Sequence, residues 1–464
     1  MRCGVFIGES LCGSQEMLRK TQAKGGNRTT AWGMYGMKTI TLIQSQFGNA
    51  VPNRRVSSFI GLILLAFCVS ALAAPPWSPP AMLSKAAVNA ESPSVAISDS
   101  GAMAATWARQ QGSSFLVQAS VNLNGTWTRG VNLANGFEPA VAIDNSGVAT
   151  TIWSGGNVVQ SSTLLANGAW SPPLAISAVG TLVRNLNIVV DAAGNITALW
   201  VRYDANGAAG VETASRLVGG NWSTPLLLSA GAPDEFSLVV NAAGDVAAIW
   251  SSFVGNAAVV ASERPFGGTW SAPYSVALPA YRQGGATIGI DANGNLTAAW
   301  RTYTEIRVAD KPAGGNWGAP MTLYTNNSVS DLPVMAKTAS GDDMVAFVTY
   351  VFNGSGYNYQ IRTSVRPAGG AWGASGLLTG KNEYDSQLHA GTTPGGSFVL
   401  TWVDNNSLNF KSSTRTATTA WSPLAVIANG GSFGTDLGVA GDKAVAIWLA
   451  GSFQTMVSTL SVSP

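Results

Sequence analysis

From about residue 90 onward, short apolar runs alternate with polar breaks that carry Gly, and no long stretch keeps a helical period. One unit recurs. An apolar strand runs into Asp144-Asn145-Ser146-Gly147, and a second strand of small residues follows to Trp153. The same hairpin returns as Asp191–Gly194 to Trp200, Asn241–Gly244 to Trp250 and Asp291–Gly294 to Trp300. Divergent copies run from Ser98 to Trp107, Thr338 to Phe347, Thr393 to Trp402 and Gly441 to Trp448. The chemistry suits a hairpin turn: Asp or Asn caps it, and Gly takes the left-handed position that closes it. In the second strand Ile196, Ala198 and Trp200 alternate with Thr197 and Leu199. Both faces are apolar or small, as in a sheet covered on both sides.

A second unit, often Trp-Ser-x-Pro, alternates strictly with the first. Its copies begin at Trp77, Trp127, Trp170, Trp222, Trp270, Trp317, Trp372 and Trp421. Together the two units predict four short antiparallel strands per repeat. Four strands in about 40–50 residues match a propeller blade, whereas a sandwich domain needs roughly 100 residues. The phase of the repeats predicts a ring. The chain enters the array with a lone Trp77 tag and a fourth strand, and leaves it on a third strand near Val457–Leu460. Pairing residues 76–84 with 455–462 would complete the last blade and remove an exposed edge. The expected fold is therefore all-β, a closed eight-bladed β-propeller of four antiparallel strands per blade.

The sequence ahead of the array predicts a separate segment. Arg54 and Arg55 precede an apolar run, Phe59 to Ala73, that ends in Ala71-Leu72-Ala73. The run is short for a membrane span, which needs about 20 residues. It has the layout of a signal peptide cleaved after Ala73. Residues 1–73 are read as extension and signal, with Met37 as a more ordinary start, and 74–464 as one propeller domain. Export to the periplasm or extracellular space follows from that layout.

Cleavage changes the charge. The leader holds eight of the 26 Lys and Arg and two of the 24 Asp and Glu, leaving 18 and 22, a net −4. That balance lacks the basic footprint of a nucleic-acid binder. Cys3, Cys12 and Cys68 all precede the cut. The remaining chain therefore has no disulfide, thiol nucleophile or Cys-ligated metal. No cofactor or metal is expected, and the mature chain is expected to carry no membrane span.

The Trp-Ser-x-Pro and Asp-x-x-Gly-Asn-x-x-Ala-x-Trp pattern resembles exported bacterial repeat proteins described as β-propeller-like, over essentially all of residues 75–464. It is more distantly similar to the Asp-box of sialidases, with one more residue between Asp and Gly and a later Trp. That box is a structural hairpin element, so the resemblance implies architecture and no particular activity.

Candidate chemistry lies where the repeats differ. In such a blade the Asp-x-x-Gly and Gly-Gly-x-Trp turns share one face and are stereotyped. The loops between second and third strands and the links between blades share the other, where variable loops suit binding. After the second strands stand Arg109, Arg202, Tyr203, Asp204, Arg301, Tyr303, Glu305, Tyr350 and Asp404, and the links add Tyr281, Arg282 and Tyr384. Tyr357, Tyr359, Asn405, Glu138, Arg184, Asp234, Glu235, Glu383 and Asp385 lie on the same loops or links. Aromatic, amide and carboxylate groups together suit stacking on sugars and hydrogen bonding to hydroxyls. The expected role is non-enzymatic binding of a glycan, an envelope component or a protein partner.

The competing reading is a sialidase-like glycoside hydrolase or a lyase. It needs an Arg cluster, a Tyr–Glu pair and an Asp acid, yet Arg109, Arg202 and Arg301 fall in blades one, three and five. No pair of carboxylates at hydrolytic separation is identifiable. The lone His389, beside a first strand, excludes a multi-His metal site. Asp291-Ala292-Asn293-Gly294-Asn295 lacks the terminal Glu of a calcium loop and reads as a capped turn.

Overall fold

The structure, a computed structural model, describes residues 76–464 except 87, 180, 181, 205, 208, 232, 234, 252–255, 282, 327, 328, 330, 331, 353, 355, 381, 382, 452, 463 and 464. The leader and cleavage site read at 1–73 lie outside these residues, as do Asp234 and Arg282.

In blades two, three and five the turn between the first and second strands carries the Asp cap that the sequence specifies. Asp144 Oδ1 accepts from the amides of Ser146 and Val148 at 2.9 Å, and Gly147 sits at φ 85°. Asp191 and Asp291 repeat this with the amides two and four residues on. A carboxylate fixed over its own turn leaves the flanking strands in register. Thus Ile143 pairs Ala149, and Val190 pairs Ile196.

The described residues form eight four-stranded antiparallel sheets in sequence order. Blades one to seven span 90–135, 137–175, 182–230, 235–281, 284–325, 334–377 and 385–428. Blade eight takes Phe433–Ala440, Lys443–Leu449 and Thr455–Ser461 from the C-terminal end, and Ala81–Met82 from the N-terminal end. Each blade's first strand packs against that of the next, and blade eight's returns to blade one's, so the ring closes. The predicted seam is present. Ala81 pairs Val457 and Met82 pairs Met456, while the Ser78 amide donates to the Thr459 carbonyl at 2.8 Å.

Second strands form the core of each blade. All six residues of Ala149–Ser154 and of Val246–Ser251 are buried, as are all eight of Ser397–Asp404. Their terminal aromatics, Trp107, Trp153, Trp200, Trp300, Phe347, Trp402 and Trp448, are fully buried. The apolar clusters bridge blades. Leu83, Val95 and Trp107 pack with Val445, Ile447 and Val457 across the seam.

Among the described residues, six innermost strands carry a β-bulge toward the variable-loop face, with a left-handed residue at Ser92, Glu138, Asn185, Gly285, Gln387 or Gly434. Bulges were not read from the sequence. At Glu138 the side chain offsets the strain: it accepts from the Asn185 amide at 3.0 Å and pairs Arg184 at 2.9 Å.

Candidate functional site

Blade six stands out on the variable-loop face. Its second and third strands, Asp343–Phe352 and Tyr357–Arg366, have ten residues each and stay paired to the Phe352–Tyr357 end. Strand alternation places Tyr350 and Phe352 on one side, and their partners Tyr359 and Tyr357 lie opposite them in the ladder. The link to blade seven then crosses this hairpin. The Tyr359 amide donates to the Glu383 carbonyl at 3.0 Å, and the Asn405 amide donates to the Tyr384 carbonyl at 2.8 Å.

The result is a run of five aromatic rings. Phe352 and Tyr357 are 5.3 Å apart, Tyr357 and Tyr350 5.3 Å, Tyr350 and Tyr359 6.2 Å, and Tyr359 and Tyr384 4.3 Å. These are tilted or edge-to-face contacts of favourable geometry. Even so, Phe352 is 60% exposed, Tyr357 55% and Tyr384 40%. Burial and the neighbouring Tyr384, Tyr350 and Tyr357 hold the Tyr359 phenol above its usual range, so it stays a neutral hydrogen-bonding group.

Carboxylates adjoin this shelf. Glu383 and Asp385 flank Tyr384, and Asp385 pairs with Asp404 in the first rungs of blade seven. Their carboxylate oxygens lie within 4.8 Å of one another, the one metal-capable cluster among the described residues. Lys411 answers that charge: its Nζ lies 3.0 Å from both Glu383 Oε2 and Asp404 Oδ2. The ammonium thus occupies a position where a cation would sit. Asp404 also accepts from the Asn406 amide and the Ser407 hydroxyl, and these donors with Lys411 keep it ionised against its burial.

Asp385 differs. It is 2% exposed, one oxygen accepts from Thr379 Oγ1 at 2.5 Å, and Oδ1 is buried without a hydrogen-bond partner. Burial first, then the charges of Glu383 and Asp404, push its carboxyl up to about 7, with the Thr379 bond opposing. The native state therefore binds a proton that the unfolded chain releases near pH 4. Stability from this group is fully present below about pH 4, falls as pH rises toward 7, and levels off above. Asp385→Asn keeps an acceptor for Thr379 and carries no charge. We expect it to stabilise the protein at pH 8 by about 2 kcal/mol and to flatten that slope, read by urea unfolding at pH 5 and pH 8.

The other predicted residues disperse around the ring. Arg202 pairs with Glu212 at 2.6 Å, and Glu212 also accepts from Trp200 Nε1 at 3.1 Å, all within blade three. Asp204 caps its own turn through the Asn206 amide, and Tyr203 is half-buried beside it. Arg109 lines a groove between blade one and the N-terminal strand of blade eight, with Gln118, Trp127 and Arg129. In blade five Glu305 pairs Arg307 at 2.6 Å, Tyr303 is exposed, and Arg301 ends the second strand. Tyr281 pairs Asn256 in the blade-four ladder. Arg109, Arg202 and Arg301 therefore stand in three separate blades, and each of the last two blades is set off from the one before by an intervening blade. Among the described residues of the predicted set, Tyr350, Tyr384 and Asp404 come together from two blades, with Tyr357, Tyr359, Glu383, Asp385 and Asn405 beside them.

Lys411, Phe352 and Thr379 belong to this site and were not singled out in the sequence. Lys411 lies inside a third strand, where loop-based reasoning does not look. His389 faces the neighbouring blade. Its Nε2 is 3.0 Å from Thr435 Oγ1, and Nδ1 is 3.9 Å from Asp436.

The Trp tags are half-buried and pack between blades. They have a further partner. Arg216, Arg264, Arg366 and Arg415 each stand six residues before a tag and lie over its ring at 4.7–5.6 Å. The signal is visible in the sequence as Arg or Lys at that spacing, with Lys311 the fifth case.

No protein-family model matches this chain, and no curated protein matches it. Among solved structures, it is similar to a Dyadobacter fermentans protein of unknown function, with 14% identity and a TM-score of 0.45 over 84% of this chain and 99% of that one. It is also similar to the polysaccharide lyase Uly1, at 11% identity and a TM-score of 0.44 over 78% and 88% of the two chains. A third is the Hadza microbial sialidase Hz136, at 12% identity and a TM-score of 0.40 over 75% and 73%.

Proposed function

We propose that this protein is an exported carbohydrate-binding propeller that holds its ligand on the tyrosine shelf of blades six and seven without turning it over. The observation that carries the reading is the exposed run Phe352–Tyr357–Tyr350–Tyr359–Tyr384 beside Glu383, Asp404, Lys411 and Asn405. Sugar rings present polarised C–H faces that pack on aromatic faces, while their hydroxyls need donors and acceptors at the ring edge. Leaving three large aromatics 40–60% exposed in one run costs solvation, which a ligand recovers.

The carboxylates of the shelf support binding without hydrolysis. Glu383 and Asp404 are both committed to one lysine, and Asp385 is too buried to reach a glycosidic oxygen. A glycan array probed with the purified protein should give one selective ligand class, and a glycoside panel should give no turnover. Turnover on that panel would overturn the reading in favour of a hydrolase or lyase. The export element rests on the Arg54-Arg55 and Phe59–Ala73 segment and its Ala71-Leu72-Ala73 end.

A further inference from the structure

The opposite face, where the stereotyped turns lie, has a feature that the repeat pattern hides. In each of blades three to six a cation at the end of the third strand reaches the preceding blade. Two of the four are neutralised there. Lys311 pairs Glu263 at 2.8 Å, and Arg366 is clasped by Asp310 and Asp343. The other two lie over their Trp tags and donate only to hydroxyls. Arg216 donates to Thr163 and Thr150 at 2.8 Å, and Arg264 to Ser215 at 2.5 Å and Thr197 at 2.7 Å. Among the described residues neither forms an ion pair. Burial holds both guanidiniums below their usual range, with only the more distant Asp144 and Asp191 opposing. Asp191 is itself occupied by the amides of Ala193 and Asn195 and by Asn195 Nδ2.

Both arginines line one groove of about 440 Å³ between blades three and four, together with Asp191, whose carboxylate is held by its own turn. That volume lies in the range of small-ligand sites. Thr197 and Ser215 accept from Arg264 and lie 3.4 Å from each other, so one hydroxyl donates to the other and one proton is left for a further acceptor. Asn221 and Phe266 complete the mouth, and Phe266 is 57% exposed, an apolar face for a ring. We propose that this groove is a second binding site, selective for a carboxylate-bearing sugar, with Arg264 and one hydroxyl of the Thr197–Ser215 pair taking the carboxylate and Phe266 the ring. It stands apart from the tyrosine shelf and does not depend on it.

Titrating the protein with glucuronate, glucose and sodium sulfate tests this. Glucuronate should bind at least tenfold tighter than either other probe, and about fivefold more weakly when salt rises from about 50 to about 500 mM. Arg264→Gln should weaken glucuronate at least tenfold. Because Arg264 also ties two blades together, a second variant leaves the clamp intact: Asn221→Asp puts a like charge at the exposed rim and should weaken glucuronate about fivefold with unchanged unfolding. Tyr384→Ala should leave it unchanged. Glucuronate binding no tighter than glucose, sulfate binding as tightly, indifference to Asn221→Asp, or loss in Tyr384→Ala would each overturn the proposal.

Discussion

A chain that starts at residue 85 should lose about 4 kcal/mol or more of stability and self-associate at micromolar concentration. The removed segment closes blade eight. Trp77 packs into the Val403, Phe410, Ala446 and Trp448 cluster between blades seven and eight, and its Nε1 donates to Ser412 Oγ at 2.8 Å. Leu83 is buried with Trp107 and Val457. A fully buried Trp is worth about 3–5 kcal/mol; half-buried Trp77 contributes part of that, and buried Leu83 and the lost ladder supply the rest. The Thr455–Ser461 strand would then present an unpaired edge, which invites another chain. Urea unfolding and size-exclusion chromatography read both effects. A synthetic peptide of residues 76–84 should restore the monomer, because it supplies the missing strand. A truncated chain as stable and monomeric as the parent would contradict a seam made by these residues.

Arg366→Met should cost about 3–5 kcal/mol, and Arg415→Met about 1 kcal/mol or less. The two arginines hold equivalent places over Trp372 and Trp421. Their partners differ. Arg366 donates to Asp310 through two nitrogens, at 2.6 and 2.7 Å, and to Asp343 at 2.5 and 2.9 Å. Asp343 is fully buried, and burial already raises its carboxyl above the usual range although Lys337 and Arg366 oppose this. Burial also works to raise Asp310, but the bonds and charge of Arg366 hold it below. Deleting Arg366 leaves Asp343 with Lys337 alone, at 3.1 Å. Arg415 donates only to the Thr416 and Ala417 carbonyls, so its loss strands no charge. Equal losses in the two variants, by urea unfolding, would show that stacking on the Trp rather than charge pairing sets the cost.

The fold was legible because its determinants are local and repeated. An Asp that caps its own turn, a Gly six residues before a buried Trp and an orphan strand at each end each leave a trace in the sequence. The site was less legible because it depends on which blades adjoin. Tyr350 and Tyr384 are neighbours only because the link after blade six folds back over Tyr359. Arg109, Arg202 and Arg301 look equivalent in sequence, yet the ring holds them apart. Bulges such as that at Glu138 have no sequence signature strong enough to read, since their strain is offset by contacts from the next blade. The two arginines of the turn-face groove were hidden by regularity: the same position is a neutralised clamp in blades five and six.

The most direct test is a calorimetric titration of the best array ligand against the parent protein, Tyr384→Ala and Tyr303→Ala. Tyr384 closes the ring run at 4.3 Å from Tyr359, whereas Tyr303 is an exposed tyrosine of blade five on the same face. The account predicts at least about tenfold weaker binding for Tyr384→Ala, and a Kd within about twofold of the parent for Tyr303→Ala. Unchanged affinity in Tyr384→Ala, or an equal loss in both variants, would contradict a ligand site on the shelf of blades six and seven.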